Sequence, residues 1–349
     1  MPYRLAESIA VIPAHVYLAH TKGQGRSFHL KHLGLEFHVL RDCLVVGHES
    51  QAITPAPLSG RVTYVFTESC PYVSNEHILP KILEDNLDKP EMALVEAVPL
   101  FPPGAFNFWH WTFESLPKLL ALESAGYTGS YIIPAAALEN PDSVIMQSLA
   151  LFDFPLERLL PSGPVYKIKS MILPQRLSGF SLADNMALTE FLREKLLNAV
   201  GRLDGSRRLY VRRVARRKIT NEDDILAVLD DFGFEIMTPE DISQKEQWQA
   251  MTAVDCSVMV HGANSTLTLL QKPGSGAIEL FGNRYISYNN LHSARLLRLR
   301  YYPLVEDLEP SSYFSEQTPV VNFLLQGMNA DILTDPLHLR IALESILNA

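Results

Sequence analysis

A histidine and a glutamate four residues apart lie in an unusually aromatic segment. Residues 107–118 read Asn-Phe-Trp-His-Trp-Thr-Phe-Glu-Ser-Leu-Pro-Lys. If Asn107 caps a helix, His110 and Glu114 share one helix face. The positive helix end favours a neutral imidazole at His110, which can take a proton from a hydroxyl nucleophile. Glu114 either orients this histidine or is itself the base. The alternative is a core-lining helix with an internally bonded histidine.

A polar loop containing a glycine follows an apolar segment. The loop residues are His261, Gly262, Ala263, Asn264, Ser265 and Thr266. Its small residues allow close approach of a ligand, and the N–H groups of a following helix attract an anion, ideally a phosphate. The chain contains neither a P-loop motif nor a dinucleotide fingerprint. The loop is therefore either a phosphate site or an ordinary capped turn.

Seven basic residues crowd into positions 207–218 of an otherwise acidic chain. They are Arg207, Arg208, Arg212, Arg213, Arg216, Arg217 and Lys218. Arg213 should lie at the carboxyl end of a strand, at the same sheet edge as the His261 loop, where guanidinium groups suit a diphosphate. The other interpretation is a solvated basic loop. Nucleic acid is disfavoured because the net charge is −9 and Tyr210 alone supplies an aromatic ring.

Glu279 lies in a segment that reads as a strand buried on both faces. A carboxylate in such a place needs a partner. It could accept hydrogen bonds from ribose hydroxyls, as acids at this sheet edge do in nucleotide-binding folds, or it could pair with an arginine.

The second half of the chain alternates between predicted strands and helices. We predict strands at Arg208–Arg213, Phe234–Met237, Val254–Val260, Ala277–Phe281 and Tyr301–Val305. We predict helices capped by Asn221 and by Ser243 in a capping box with Glu246, and helices starting at Leu267 and near Asn289. This order indicates an α/β fold with a parallel, doubly wound sheet, which binds ligands at the carboxyl ends of its strands.

The first half is rich in predicted strands, among them Leu35–Leu40 and Arg61–Thr67. One helix should run from Asn107 to Leu120 with an interruption at Pro117, and another from Asp184 to Val200. The polar stretch from Gly201 to Ser206 is the best linker candidate. We therefore predict an N-terminal domain over residues 1–205 and a C-terminal domain over 206–325. A C-terminal helix over 326–349 should pack back on the N-terminal domain.

Composition places the chain among ordinary globular proteins. It has 349 residues, of which 47% are hydrophobic and 20% charged. Three scattered cysteines argue against a disulfide scaffold or a zinc ribbon. No apolar run approaches membrane-spanning length and no signal peptide is visible. We expect a cytoplasmic protein, and peripheral contact with the inner face of the membrane stays open.

Taken together, these segments resemble family 61 glycosyltransferases. The matching pieces stand in family order: Asn107 to Lys118, Leu209 to Arg213, Arg217 to Glu222, Gly233-Phe234, Ser243 to Gln247, Val260 to Ala263, and Glu279-Leu280. The resemblance covers roughly residues 100–305. The sequence departs from the family after Ala263, where Asn264, Ser265 and Thr266 stand in place of the usual residues, and this leaves the donor's identity open.

The resemblance implies a GT-B fold, with two Rossmann-like domains facing a cleft. It implies inverting transfer from a nucleotide sugar, expected to be UDP-linked, to a glycan or lipid-linked glycan acceptor in capsular polysaccharide biosynthesis. The resemblance also implies that the transfer needs no cofactor and no metal. On the donor side, Arg213, Arg217, His261 and Asn264 would hold the diphosphate and Glu279 the ribose. Donor binding would also involve Asn221, Gly262, Ala263 and Ser265. His110 or Glu114 would be the base.

Two other functions are alternatives to glycosyl transfer. The first is a catalytically silent nucleotide-sugar-binding protein or partner subunit. The second is a nucleotide-dependent oxidoreductase, which the missing glycine fingerprint disfavours.

Overall fold

The computed structural model describes two compact units, Met1–Ser178 and Gly179–Ala349. The residues it describes are 26–47, 53–57, 91–100, 106–162, 165–174, 177, 185–283, 285–287, 289–308 and 330–348. The strand predicted at Arg61–Thr67 lies outside them.

The first unit is built on a mixed sheet. Its strands are β1 (Arg26–Leu30), β2 (Leu35–Gly47), β3 (Ile53–Pro57), β4 (Glu91–Pro99), β5 (Ser130–Ile133), β6 (Leu159–Pro161) and β7 (Val165–Pro174). The strand order is β1-β2-β7-β4-β5-β6, with β3 on β2. Strands β7, β4, β5 and β6 run parallel, whereas β1, β2 and β3 pair antiparallel.

The helices of this unit follow the parallel strands. They are α1 (Phe108–His110), α2 (Leu116–Ser124), α3 (Ala135–Leu138) and α4 (Val144–Ala150). A π turn at Trp111–Ser115 joins α1 to α2. Short 3-10 turns lie at Lys31–Leu33 and Leu156–Arg158. Because parallel β4 and β5 are joined through α1 and α2, this helical stretch begins towards the carboxyl edge of the sheet.

The second unit contains the alternating strands and helices that the sequence predicts. Its strands are β8 (Arg207–Val211), β9 (Glu235–Met237), β10 (Val254–Val260), β11 (Gly276–Gly282), β12 (Arg300–Leu308) and β13 (Ile332–Leu333). Its helices are α5 (Met186–Val200), α6 (Glu222–Asp231), α7 (Gln244–Met251), α8 (Leu291–Leu297) and α9 (Pro336–Leu347). Two 3-10 segments lie at Pro239–Asp241 and Ala263–Leu270. The predicted α/β class is confirmed.

The second sheet has the order β13-β12-β11-β10-β8-β9. All neighbouring strands are parallel except β13, which pairs antiparallel with β12. Strand β11 is buried along its whole length, as expected for a central strand covered on both faces. Strand β8 pairs with β9 on one side and with β10 on the other, so the chain reverses its direction across the sheet at β8.

Two helices show contacts that differ from the predicted domain division. Helix α5 falls in the second unit, where it packs on α7 and α8. Its Arg193 also donates to the carbonyl oxygens of Leu269 and Gln271. Helix α9 packs on α6, β11 and β12, whereas we expected it on the N-terminal domain. The physical reason is the apolar face of α9, which joins the core of the second sheet through Leu339, Ala342, Leu343 and Ile346.

Local capping follows the sequence in two places and differs in a third. Asn107 accepts hydrogen bonds from the backbone N–H groups of Trp109 and His110. Ser243 and Glu246 form the predicted capping box. Asn221 precedes α6 but its side chain does not cap it, because its amide is bound to Thr334.

Candidate active site

The topological switch point of the second sheet lies between β8 and β10. Open α/β sheets bind ligands in the crevice at the carboxyl ends of the two strands that flank such a point. Arg212 and Arg213 follow β8, and His261 and Gly262 follow β10. The sequence-predicted arginines and the predicted phosphate loop therefore meet at the edge where a ligand is expected.

Two arginine side chains close on the backbone of Gly262. A Cβ atom added at Gly262 would overlap Arg213 Nη1 and would lie 3.2 Å from Arg217 Nη2. A residue with a side chain at position 262 would therefore displace at least one guanidinium group. Glycine is needed here for close approach rather than for a turn.

The guanidinium groups of Arg213 and Arg217 carry nitrogen atoms that are buried and bind no protein acceptor. They are Nη1 of Arg213 and Nε and Nη1 of Arg217. Burial and the neighbouring charge of Arg217 lower the pKa of Arg213 to about 10. Burial likewise lowers the pKa of Arg217, whose guanidinium lies 5.5 Å from the ring centroid of Tyr285. With its pKa near 10, Arg213 is still charged at neutral pH, so an anion is the complementary ligand.

The other basic residues of the cluster are engaged elsewhere or exposed. Arg207 forms a two-nitrogen ion pair with Glu235, and Arg212 does the same with Glu222. Arg208 donates to the carbonyl oxygen of Phe232 at 2.6 Å. Arg216 and Lys218 are exposed. Within this cluster, Arg213 and Arg217 are therefore the residues best placed to bind an anion.

His261 is held by a buried carboxylate. Its Nδ1 atom lies 2.6 Å from Oε1 of Glu279, and its ring stacks on Phe281 with centroids 4.6 Å apart. Glu279 also accepts from Asn290 Nδ2 at 2.8 Å and from Tyr301 Oη at 2.6 Å. Burial raises the pKa of Glu279, but hydrogen bonds from His261, Tyr301 and Ser265 together with the charge on His261 hold it below its ordinary value. The carboxylate is thus ionised and orients His261.

The rest of the loop is a 3-10 helix over Ala263–Leu270 rather than an α-helix starting at Leu267. Ser265 is buried and its Oγ accepts from the N–H of Gly262 at 3.3 Å. Ala263 and Asn264 are half-buried beside it. The 3-10 helix thus begins directly after Gly262, the residue that the two guanidinium groups approach.

A cavity of about 590 Å³ adjoins Arg213. It is lined by residues 212–214 and 218–224, which include the acids Glu222, Asp223 and Asp224 but not Arg217. Asn221 lies in this lining, but both functional atoms of its amide are bound to the backbone of Thr334. Asn221 is therefore placed to hold the chain and not to reach a ligand.

In the first unit, His110 and Glu114 form the predicted pair. His110 Nδ1 lies 2.9 Å from Glu114 Oε2. The Glu114 side chain is 9% exposed and that of His110 is 38% exposed. The carboxylate is thus covered, whereas the imidazole is partly accessible.

A π turn sets the geometry of this pair. The N–H of Leu116 donates to the carbonyl oxygen of Trp111, five residues earlier. Pro117 has no N–H and its ring excludes the carbonyl of residue 113, so a regular α-helical turn cannot form here. The turn widens instead, and π turns of this kind are frequent at functional sites.

Three residues of the site were missed by sequence reasoning: Tyr285, Asn290 and Tyr301. In the parallel pairing of β11 and β12, Tyr301 is aligned with Ala277, two residues before Glu279 on the same face. Tyr301 falls within a predicted strand, so a register for β12 would have found it. Neither tyrosine nor Asn290 belongs to a motif.

The family comparison now decides the class of the protein. The family model described as Glycosyltransferase 61 matches residues 108–278. Residues 108–278 are a glycosyltransferase family 61 domain. The family 61 domain includes the His110–Glu114 pair, both arginines on Gly262 and the His261 loop, and it ends one residue before Glu279. The protein is an enzyme that takes a sugar from a donor to an acceptor.

A search of the curated proteins found no match to the chain. In the part of this glycosyltransferase that the structure describes, no helix combines the length and the apolar character needed to cross a membrane. The same residues contain no cluster of three or more histidine, cysteine or acidic side chains able to hold a metal ion.

Proposed function

We propose that this glycosyltransferase moves a sugar from a nucleoside diphosphate donor to a glycan acceptor with inversion at the anomeric carbon. A UDP-linked donor is the expected member of that class. The proposal includes a GT-B arrangement of the two units and a role in polysaccharide biosynthesis in the cytoplasm, peripheral to the membrane. The acceptor is a free or lipid-linked glycan.

One observation supports a nucleoside diphosphate as the donor. Arg213 and Arg217 both reach Gly262, and three of their nitrogen atoms are buried without a protein acceptor. Two adjacent guanidinium groups match the charge and the oxygen spacing of a diphosphate better than those of one phosphate. Their place at the switch point is where doubly wound sheets bind nucleotides.

The departing diphosphate would be stabilised by these two cations. When the bond between the anomeric carbon and the diphosphate oxygen breaks, the electron pair stays on that oxygen, where charge develops. Arg213 and Arg217 would donate to it from a fixed position, with Asn264 and the N–H groups of the loop nearby. In this proposal neither a metal nor a cofactor is required.

The acceptor hydroxyl would lose its proton to the histidine of the first unit. Glu114 binds Nδ1 of His110, so the lone pair that can take a proton lies on Nε2. The acceptor oxygen forms its bond to the anomeric carbon as the proton moves to Nε2. Glu114 would then stabilise the imidazolium, as carboxylates do in related acid–base pairs.

The geometry favours a different role for Glu279 from the ribose contact we predicted. Its two oxygens accept from His261, Asn290 and Tyr301 within 2.8 Å. We infer that Glu279 is a positioning residue for His261, which would face the donor with Nε2. The ribose would then be bound by other groups of the same edge.

A ligand screen with arginine variants tests the donor site. Calorimetry and thermal shift would be run with UDP, GDP and CMP, each with EDTA and with Mn²⁺. A nucleoside diphosphate should raise the melting temperature of the wild type by mass action. Arg213→Ala and Arg217→Ala should each weaken its binding by about 1.5–3 kcal/mol, the value of a charge-assisted hydrogen bond to phosphate.

Arg207→Ala is the matched control for this screen. Arg207 belongs to the same cluster but begins β8, at the opposite end from the site, and is paired with Glu235. The Arg207→Ala variant should bind the nucleotide with the affinity of the wild type. Equal affinity in the wild type and both site variants would remove these arginines from the site. Binding without transfer to any acceptor would instead indicate a silent nucleotide-sugar-binding protein.

A further inference from the structure

The loop that carries Arg213 and Arg217 is joined to the C-terminal segment by hydrogen bonds. The N–H of Lys218 donates to Asp331 Oδ1 at 3.1 Å. The N–H of Ile332 donates to the carbonyl oxygen of Lys218 at 2.9 Å, and the N–H of Thr220 donates to that of Ile332 at 3.0 Å. We call this connection, between residues 218–221 and residues 331–334, the C-terminal clasp.

The Asn221 side chain completes the clasp. Its Nδ2 donates to the carbonyl oxygen of Thr334 at 2.8 Å, and its Oδ1 accepts from the N–H of Thr334 at 3.2 Å. An amide that binds both backbone groups of one residue imitates a pair in a sheet. Ile219 and Ile332 are buried next to it in the same core cluster.

The clasp begins at Lys218, directly after Arg217, whose backbone conformation is strained. Arg217 has a φ of 53°, in the left-handed region that residues other than glycine seldom occupy. Such a conformation persists only where the surrounding structure holds it. Relaxation of this φ would swing the Arg217 guanidinium away from Gly262, and the bonds on both backbone groups of Lys218 oppose that rotation.

Electrostatic repulsion between the guanidinium groups of Arg213 and Arg217 also tends to move the Arg217 side chain away from Gly262. Both lie against Gly262, and the charge of Arg217 is one cause of the lowered pKa of Arg213. Two like charges held close together push the loop open. A restraint from outside the loop is therefore needed to keep both groups in place before an anion binds.

The C-terminal segment is itself firmly anchored. Strand β13 pairs with β12, and the N–H of Asp335 donates to Glu306 Oε2 at 3.2 Å. Helix α9 adds its apolar face to the core of the second sheet. The clasp therefore ties the arginine loop to the body of the sheet.

We propose that the C-terminal clasp is a positioning element of the donor site, in which Asp331 and Asn221 hold the backbone around Arg217 so that both guanidinium groups stay on Gly262. This inference rests on the proposed function for its ligand. Its C-terminal half, residues 331–334, lies beyond the family match, which ends at residue 278.

Two measurements on the full chain test the clasp. Hydrogen exchange of residues 212–221 in the free protein reports whether the loop is held. Calorimetry with UDP and with inorganic pyrophosphate reports the effect on the anion. Asp331→Ala and Asn221→Ala should raise the exchange rate of the loop and weaken UDP binding by about tenfold each.

Two control variants separate the clasp from charge and from general stability. Asp331→Asn loses the same charge as Asp331→Ala but keeps an acceptor oxygen for the N–H of Lys218. Its loop exchange rate and its UDP affinity should therefore equal those of the wild type. Arg340→Ala breaks the ion pair of α9 with Asp231 of α6, which involves no residue of the clasp. It should therefore lower stability without changing exchange of residues 212–221 or UDP affinity.

The outcomes distinguish this inference from the donor proposal. Unchanged exchange of the loop in Asp331→Ala and Asn221→Ala overturns the clasp, and so does an equal loss of affinity in Arg340→Ala. A wild-type protein that binds neither UDP nor pyrophosphate overturns the donor site. In that case the exchange data alone still decide whether the C-terminal segment positions the loop.

Discussion

At the scale of single residues, the arginine cluster shows that sequence proximity does not decide function. Arg207, Arg212 and Arg213 are close in the chain, yet the first two are neutralised by glutamates and the third reaches Gly262. What separates them is the position of each side chain relative to the sheet edge. A basic residue becomes a ligand-binding group where the fold buries it without an internal acceptor.

The pairing of His110 with Glu114 leads to a prediction about turnover. Glu114→Gln should reduce kcat by about 10²-fold or more, because the carboxylate that would stabilise the imidazolium is lost. The dissociation constant of the donor should not change. Steady-state kinetics with calorimetry separate the two quantities, and His110→Ala should give a similar loss.

Glu123→Gln provides the control for this prediction. Glu123 lies on α2, the continuation of the same helical stretch, and pairs with Arg158 and Tyr131 instead of with a histidine. It should retain the wild-type kcat. A fully active Glu114→Gln enzyme would assign the proton transfer to another group.

At the scale of elements, the helical stretch with the π turn shows how one proline alters a helix that would otherwise be regular. The stretch runs from α1 to α2 with the π turn between them. The extra residue in the turn rotates everything before it relative to everything after it by about 100°. The direction in which His110 points therefore depends on Pro117.

A Pro117→Ala variant tests this dependence. The new N–H can donate to the carbonyl of Phe113, so we expect the π turn to relax towards an α-helix. The melting temperature should stay equal or rise, whereas kcat should fall because the His110–Glu114 pair is rotated. Thermal unfolding and transfer kinetics measure the two effects. A variant with wild-type kcat and a normal helix at this position would contradict the prediction.

At the scale of the whole molecule, two buried ionisable groups of the second unit link stability to pH. Burial lowers the pKa of His292 from 6.5 to about 4. Glu279 is also held below its ordinary pKa. In both cases the unfolded chain takes up a proton at a higher pH than the folded protein does, so acid favours unfolding.

The two groups act in different pH ranges. For His292, the free energy of unfolding should fall by up to about 3 kcal/mol between pH 6.5 and pH 4. Glu279 should add to the loss only below its unfolded pKa, near 4.5. Urea unfolding of the wild type and of His292→Gln from pH 7 to pH 5 isolates the first contribution. An identical slope in both proteins would contradict it.

The sequence by itself determined the local structure and the side chains that could bind a ligand or transfer a proton. The alternation of apolar runs, glycines and caps predicted the strands and helices of the second sheet, because hydrophobic periodicity and end signals are properties of short segments. The same is true of the Asn107 cap and of the His110–Glu114 pair, whose members are separated by about one helical turn. Arg213 was singled out by its place after a strand, whereas Arg217 was named only through the resemblance to family 61 glycosyltransferases.

Only the tertiary structure decided which distant groups meet. Tyr301 and Asn290 reach Glu279 because of strand register and the start of α8, and Thr334 takes the Asn221 side chain that the sequence assigned to capping and to the donor. The packing of α9 on the second sheet was likewise decided by contacts far apart in the chain. Long-range pairing depends on which buried polar groups can satisfy each other, and no segment of the chain records this alone.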